Sequence, residues 1–296
     1  MITLFSIPKP FRGHIATIQR NAIQSWIRLK CDCEIVLCGD ETGTAETAKE
    51  FNLKFVPDIA CNQYGTPLVD SIFEQVERTA RNSLLCYVNA DIILLGSFIP
   101  AVHSINFREF LMVGQRWDLN VSEPIRYEAE EWEDDLKKLV HESGLLHPPT
   151  GIDYFVFPRR VRWSLPRFAV GRPGWDNWLI CRARELRVPV IDATQAVTVV
   201  HQNHDYSHVK FATDRTTEGP EAIRNRELIG DWGRMFTIRD ATHLLQPGST
   251  VSGSPYATKN FRTLPVTLLK HWKRFSFLCG AGRRVLKRRF SVGVRA

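Results

Sequence analysis

The chain has 296 residues, of which 44% are hydrophobic and 24% are charged, and its formal net charge is +7. These values are ordinary for a soluble globular protein, and the length fits one large α/β domain or two small ones. No run approaches 18 apolar residues, so the sequence predicts no transmembrane helix. Residues 1–7 lack a basic leader and a cleavage pattern, and they are predicted to form a first strand.

The charge is distributed unevenly along the chain. Residues 241–296 contain eleven lysines and arginines but no aspartate or glutamate, whereas residues 1–240 contain 28 basic and 32 acidic residues, a net charge of −4. A basic segment attached to a mildly acidic body favours an anionic partner for that segment. We therefore predict a main domain of residues 1–240 and a basic C-terminal extension of residues 241–296.

The seven cysteines form no Cys-x-x-Cys pair. Cys31 and Cys33 are close in sequence, but no second pair is present to complete a metal site with them. Three other cysteines lie in apolar segments, where a free thiol behaves as a small hydrophobe: Cys38, Cys86 and Cys181. The sequence therefore predicts reduced thiols in a cytoplasmic protein.

Apolar periodicity and turn residues predict strands that alternate with helices, which is typical of a largely parallel sheet. The predicted strands cover residues 2–7, 34–38, 53–56, 84–88, 111–115, 153–158, 188–192 and 196–200. The predicted helices cover residues 14–30, 44–51, 67–81, 97–110, 128–143 and 175–187. Beyond residue 205 the pattern weakens, and residues 247–255 are predicted to form a loop or linker.

Residues 84–94 contain the strongest indication of function. An apolar run delivers Asn89 and Asp91 to the carboxyl end of a predicted buried strand. The apolar residues 92–94 predict that the strand continues, which argues against Asp91 as the N-cap of a helix. Open α/β sheets bind ligands outside the carboxyl ends of their strands. A carboxylate there can hold a divalent cation that in turn holds a diphosphate.

Between about residues 2 and 206, this order of elements, with Asn89-Ala90-Asp91 after a buried strand, resembles nucleotide-sugar glycosyltransferases of the GT-A type, similar to glycosyltransferase family 2. The resemblance implies an α/β fold with a mixed, mainly parallel, Rossmann-like sheet flanked by helices. It also implies a hexosyltransferase-like enzyme that moves a sugar from a nucleoside-diphosphate sugar to a glycan or lipid-linked acceptor, assisted by Mn²⁺ or Mg²⁺. Asn89 stands where the family usually has aspartate, so the site has one negative charge less.

The resemblance assigns binding of the sugar nucleotide to Asp40, Glu41, Tyr64, Gly65, Asn89, Ala90 and Trp175. Asp40 or Glu41, after the second strand, would contact the nucleobase or ribose. Gly65 would allow close backbone approach to a phosphate near a helix N-terminus. The alternative for this loop is an ordinary helix start, with Thr66 as the N-cap and Pro67 in the first turn.

Segments 151–155 and 173–178 resemble the acceptor half of the same family. Glycosyl transfer with inversion needs a base that takes the proton of the acceptor hydroxyl. We expect Asp176 to be this base, with Asp153 as the second candidate. The alternative for Asp176 is helix N-capping, with Trp178 in the core. In the functional interpretation, Trp175 and Trp178 would both offer apolar faces to sugar rings.

Three of the nine histidines lie within residues 201–208. Neutral imidazole is a common ligand of Mn²⁺-like metals. The resemblance implies a histidine after a late strand that completes the metal shell, and His201 matches that position best, with His204 as the alternative. The predicted metal ligands are therefore Asp91, His201 and His204. A pure zinc site is less favoured, because no cysteine or acid accompanies the histidines at the usual spacing.

Residues 264–290 mix basic and aromatic side chains, which predicts attachment to an anionic membrane surface on the cytoplasmic face. Nucleic acid is the rival partner and is not expected, and a solvated tail is the third alternative. Two other functions stay open. A sugar nucleotidyltransferase would need a Gly-rich phosphate loop after the first strand, where residues 8–13 read Pro-Lys-Pro-Phe-Arg-Gly. A catalytically inactive adaptor that binds membrane or nucleic acid is the other.

Overall fold

The computed structural model of the chain describes residues 1–204, 219–248, 251–253 and residue 268. The helices are α1 (Gly13–Ile27), α2 (Thr44–Glu50), α3 (Val69–Thr79), α4 (Phe98–His103), α5 (Trp132–Ser143), α6 (Trp175–Glu185) and α7 (Pro220–Ile229). The strands are β1 (Ile2–Ser6), β2 (Glu34–Cys38), β3 (Lys54–Val56), β4 (Leu84–Val88), β5 (Ile92–Leu94), β6 (Leu111–Val113), β7 (Trp117–Leu119), β8 (Leu145–Leu146), β9 (Tyr154–Pro158), β10 (Val190–Asp192), β11 (Val199–Gln202), β12 (His243–Leu245) and β13 (Val251–Gly253). Among these elements, no helix is both long and apolar enough to cross a membrane.

The larger of two sheets has nine strands in the order β13-β12-β10-β6-β9-β4-β1-β2-β3. Most neighbours run parallel, but β9 is antiparallel to β4 and β6, and β13 is antiparallel to β12. The prediction of an α/β fold with a mixed, mainly parallel sheet is thereby confirmed. Strands β12 and β13 extend the sheet beyond residue 240, and the predicted division of the chain at that residue stays a prediction.

Helices cover both faces of this sheet. Along β4, Leu85 and Tyr87 face a core that α3 and α6 complete, whereas Cys86 and Val88 face a core that α1 and α4 complete. Because successive strand residues point to opposite faces, β4 must be apolar at every position to be buried on both sides. This explains the continuous apolar run in the sequence.

The smaller sheet has the strand order β5-β11-β7-β8 and packs against α5. Residues 92–94 belong to this sheet, so the prediction that they continue β4 is wrong. The chain turns after β4, with the Ile92 amide donating to the Asn89 carbonyl at 3.1 Å, and β5 then pairs antiparallel with β11. All three residues are fully buried, and an apolar run has the same pattern in either sheet. The turn places Asp91 at the junction of the two sheets.

Three local predictions also differ from the structure. Helix α3 begins at Val69 with Leu68 before it, so Thr66 is not its N-cap; the Thr66 amide instead donates to Asn62 Oδ1 at 3.1 Å. Cys31 and Cys33 are placed as a disulfide rather than as reduced thiols, with Cα atoms 5.4 Å apart, a separation that permits the bond. Residues 251–253, predicted as loop, form the edge strand β13 because β12 supplies backbone partners for them.

Candidate active site

A cleft of about 280 Å³ opens at the carboxyl ends of β1 and β4, where the larger and smaller sheets meet. Eight of the twelve predicted site residues line it: Asn89, Ala90, Asp91, Asp153, Trp175, Asp176, His201 and His204. Ligand sites in open α/β sheets lie at this edge, which is why strand ends in the sequence indicate them. The structure therefore brings these residues from four separate segments of the chain to one place.

Asp91 is the most buried carboxylate at the smaller-sheet side of the cleft. Its Oδ2 lies 3.0 Å from His204 Nε2 and 3.9 Å from Lys9 Nζ. Its Oδ1 is buried and has no hydrogen-bond partner among the described residues. Burial raises the pKa of Asp91, but the hydrogen bond with His204 and the charges of His201 and Lys9 outweigh burial, so that pKa lies well below its ordinary value. Asp91 is therefore ionised at neutral pH.

Asp91, His201 and His204 form a group with the chemistry of a cation site. One ligand atom of each lies within 4.8 Å of the others. A buried carboxylate oxygen without a partner costs free energy unless a ligand satisfies it. One carboxylate with two imidazoles is a donor set that suits Mn²⁺-like metals, with diphosphate and water oxygens left to complete the coordination. The residues present thus fit a divalent cation.

Asp118 on β7 orients His201. The His201 Nδ1 lies 3.0 Å from Asp118 Oδ1, and because the carboxylate only accepts, Nδ1 is the donor. In a neutral ring this leaves the lone pair on Nε2, the state in which histidine binds a metal. His147 Nδ1, 2.6 Å from Asp118 Oδ2, and Arg116 Nε, 2.9 Å from Oδ1, complete the shell around Asp118.

Three residues of this group were not among the predicted site residues: Arg116, Asp118 and His147. Strand β7 has three residues and shows no alternation long enough to predict a strand, and His147 precedes two prolines in a loop. The signal that was available is the polar pair Arg116 and Asp118, which are separated by one residue and directly follow the predicted strand at 111–115. Burial alone would raise the pKa of Asp118. Hydrogen bonds from His201, His147 and Arg116 have the opposite and larger effect, so this pKa lies well below its ordinary value.

Asp153 has partners on both carboxylate oxygens. Asn89 Nδ2 donates to Oδ1 at 2.7 Å, and Arg116 donates to Oδ2. The Asn89 amide also donates to the Asp153 carbonyl at 2.9 Å. An aspartate at position 89 would place two carboxylates side by side, whereas the side-chain amide of Asn89 donates to Asp153.

Asp176 lies in the first turn of α6. The residue that precedes the helix is Gly174, with φ of 102°. The backbone amide of Gly174 donates to Asp176 Oδ1 at 3.2 Å. A side chain at Gly174 would be strained at this φ and would meet Ile229 Cδ1 at 2.4 Å. Burial raises the pKa of Asp176 to about 6, and the neighbouring charge of Asp153 adds to this effect. Gly174, and not Asp176, is therefore the N-cap of α6, and Asp176 titrates at about pH 6.

The two predicted sugar-stacking tryptophans differ in position. Trp175 lines the cleft but is 6% exposed, because its ring packs against Tyr87 and Phe155 with centroids 5.2 Å away in each case. Trp178 is buried in the core against Phe168 and does not line the cleft. The alternative of a core tryptophan therefore holds for Trp178.

Four predicted donor-binding residues lie outside the lining of the cleft: Asp40, Glu41, Tyr64 and Gly65. Asp40 is exposed and Glu41 is partly exposed after β2, while Tyr64 and Gly65 form an exposed turn with φ of 81° at Gly65. The turn is connected to the cleft wall, because Asn62 Nδ2 donates to Glu221 Oε1 at 2.7 Å and Glu221 pairs with the cleft residue Arg172. Their predicted role in nucleotide binding stays a prediction.

Several solved structures are similar to the chain. Glucosyl-3-phosphoglycerate synthase from Mycobacterium tuberculosis, in complex with Mg²⁺ and UDP, is 15% identical, with 70% of this chain and 73% of that chain covered and a TM-score of 0.44. The mannosyltransferase PcManGT from Pyrobaculum calidifontis, in complex with GDP-Man and Mn²⁺, is 12% identical, with 70% and 58% covered and a TM-score of 0.44. TarS from S. aureus is 14% identical, and the match spans 41% of this chain and 37% of the TarS chain at a TM-score of 0.33.

No family model and no curated protein matches the chain. The similar structures are described as a glucosyl-3-phosphoglycerate synthase, a mannosyltransferase and a nucleotide-diphospho-sugar transferase.

Proposed function

We propose that the chain is a metal-dependent glycosyltransferase that moves a sugar from a nucleoside-diphosphate sugar to a hydroxyl acceptor. The observation that supports this most directly is that one cleft contains two carboxylates in different environments, Asp91 and Asp176. Asp91 has a buried, unpartnered oxygen beside His201 and His204, and Asp176 has a pKa of about 6. The first arrangement suits a cation, and the second suits proton transfer near neutral pH.

At the smaller-sheet side, Asp91, His201 and His204 would hold Mn²⁺ or Mg²⁺. When bound, the cation supplies positive charge to the diphosphate leaving group. Two imidazole ligands favour Mn²⁺ over Mg²⁺, which prefers oxygen ligands. Lys9, whose Nζ lies 3.9 Å from Asp91 Oδ2, adds a second positive charge at the same place.

On the other side, Asp176 would accept the proton of the acceptor hydroxyl. As that proton leaves, the acceptor oxygen bonds to the anomeric carbon, and the bond from that carbon to the diphosphate oxygen breaks. A carboxylate with a pKa of about 6 is deprotonated at pH 7 and is a better base than an ordinary aspartate. Asn89 and Arg116 both donate to the Asp153 carboxylate. We therefore propose that Asp153 positions the residues of this wall of the cleft and is not the base.

A donor screen tests the proposal. The full chain is incubated with a panel of UDP- and GDP-sugars, with Mn²⁺ or with EDTA, and its melting temperature and the release of nucleoside diphosphate are measured. We expect one donor to raise the melting temperature only with Mn²⁺ and to be turned over. Stabilisation without turnover against any acceptor would favour the inactive adaptor, and no stabilisation by any donor would contradict the proposal.

We further propose a glycan or lipid-linked acceptor and attachment of the basic extension to an anionic membrane on the cytoplasmic face. The support is the sequence alone, because residues 254–267 and 269–296 lie outside the described part of the chain. Each basic side chain near such a surface contributes about 1 kcal/mol. Deletion of residues 257–296 leaves β13 in place, and it should abolish flotation with anionic vesicles while donor binding is retained. Unchanged flotation would refute the attachment.

A further inference from the structure

A second cavity, of about 450 Å³, lies at the edge of the larger sheet opposite the cleft. Leu84, the first residue of β4, and Pro158, the last residue of β9, pair in the sheet and line it. The cleft lies beyond the other end of the same strands, roughly 15 Å away for five residues of strand. The two cavities are therefore separate sites, and this one does not depend on the proposed function.

Four of the seven residues that line this cavity are arginines: Arg108, Arg159, Arg160 and Arg162. The segment after β9 explains how three of them gather. Val161 and Trp163 are buried, with Trp163 packed against Phe157 at 5.4 Å, so Arg160 and Arg162 alternate with them and are exposed. Arg108, from the loop after α4, completes the group.

Little negative charge balances this group. Arg162 lies 3.6 Å from Glu77, and Arg159 donates to the carbonyls of Ala80 and Asn82. Within the described ranges, neither Arg108 nor Arg160 forms an ion pair or a hydrogen bond. Glu109 follows Arg108 in the sequence and is exposed. The negative charges of Glu77 and Glu109 offset only part of the charge of the four guanidinium groups. The cavity keeps a net positive charge.

Arg159 is held in a fixed position, since its two carbonyl acceptors lie in the turn that leads into β4 and its backbone amide donates to the Ser83 carbonyl at 2.8 Å. Its Nε is buried and has no acceptor among the described residues. Ser83, exposed at the rim, offers a hydroxyl to the same space. The charge of Arg159 is thus fixed in position, whereas the guanidinium groups of Arg108 and Arg160 have no such hydrogen bonds within the described ranges.

We propose that this cavity binds a phosphate group. Guanidinium groups present planar pairs of donors that match phosphate oxygens, and several of them can share one tetrahedral anion. A carboxylate, with two oxygens, would leave most of these donors without an acceptor. A phosphomonoester, free in solution or on a lipid headgroup, has three oxygens and close to two charges and suits the cavity better.

The test uses the full chain and the double variant Arg108→Gln/Arg160→Gln, with Arg126→Gln/Arg224→Gln as a control that removes the same charge from exposed positions elsewhere. Inorganic phosphate is titrated by calorimetry in EDTA, so that no metal contributes in the cleft. Because charge-assisted hydrogen bonds are lost, the double variant should bind phosphate at least about tenfold more weakly, and the control should bind as the wild type does.

Flotation with phosphatidylcholine vesicles that contain phosphatidic acid, compared with pure phosphatidylcholine vesicles, identifies the source of the phosphate. Weaker flotation of the double variant than of the control indicates a lipid headgroup, and loss of calorimetric binding with equal flotation indicates a soluble phosphate. Equal phosphate affinity and equal flotation of the two double variants would overturn the proposal, as would arginine-dependent binding to single-stranded RNA alone.

Discussion

The two sides of the cleft shift the pKa values of their carboxylates in opposite directions. On the side of the smaller sheet, Asp91 and Asp118 face imidazole and cationic side chains, and the pKa values of both lie well below ordinary. On the side of α6, Asp176 has backbone amides and a second carboxylate nearby, and burial raises its pKa to about 6. Environments that separate the pKa values of two groups in one site allow them different chemical roles. The side of the smaller sheet therefore holds carboxylates that stay ionised, and the side of α6 holds a carboxylate that takes up a proton at about pH 6.

Asp91→Asn should remove the permanent charge and produce the largest effect. The amide keeps the shape of the side chain but weakens the cation site, and a bound cation supplies several kcal/mol of stabilisation in such reactions. We expect donor turnover with Mn²⁺ to fall on the order of a thousandfold, to the level of the wild type in EDTA. Asp58→Asn, at an exposed position, is the control. Wild-type Mn²⁺ dependence in Asp91→Asn would show that the charge of Asp91 is not needed for the cation site.

Asp176→Asn should remove the proton acceptor without affecting the cation site. Transfer to the acceptor should fall about a hundredfold or more, while Mn²⁺-dependent donor binding stays unchanged. The wild-type rate should rise with pH up to about 6, since the base must lose its proton, and the variant should lack this limb. An acidic limb that persists in Asp176→Asn would assign the proton to another group, with Asp153 as the next candidate.

The raised pKa of Asp176 also predicts how stability depends on pH. The folded state binds this proton more tightly than the unfolded state does, so its contribution is complete below about pH 4 and is lost as the pH rises through about 6. Relative to the wild type, Asp176→Asn should therefore gain up to about 3 kcal/mol between pH 4 and pH 7. Urea unfolding at both pH values measures this gain. A difference that does not change with pH would mean that the side chain is solvated.

Asp118→Asn should have the smallest effect, because Asp118 acts through His201. Loss of the carboxylate removes the constraint on the His201 tautomer, which typically costs 10–100-fold in metal affinity. Isothermal titration with Mn²⁺ measures the affinity, and NMR of the His201 ring reports the tautomer. If the affinity falls while the tautomer is unchanged, Asp118 contributes charge and not orientation.

The sequence predicted the polar ends of the central strands because a simple rule applies to them. Asn89 and Asp91 follow β4, and Asp153 precedes β9, so the sheet itself carries them to one edge. The sequence did not predict the smaller sheet. Its strands are two to four residues long, and an apolar trio such as Ile92–Leu94 has the same pattern in either sheet.

The support of His201 could not be predicted for the same reason. Asp118 and His147 are 83 and 54 positions from His201 in sequence, and only the pairing of β7 with β11 and β8 brings them together. The pKa of Asp176 likewise depends on burial between elements that the sequence does not show to be neighbours.

The place of β9 in the larger sheet determines when the cleft can form. This strand runs antiparallel between β4 and β6, although β4 and β6 both precede it in the chain. A chain emerging from the ribosome therefore cannot close its central sheet until residue 158 has been made, and His201 must then find Asp91 across 110 positions. Contacts this far apart in sequence slow folding, because loop closure precedes the gain in contacts. We expect refolding kinetics followed at the cleft to lag behind those of α1 and β1–β2.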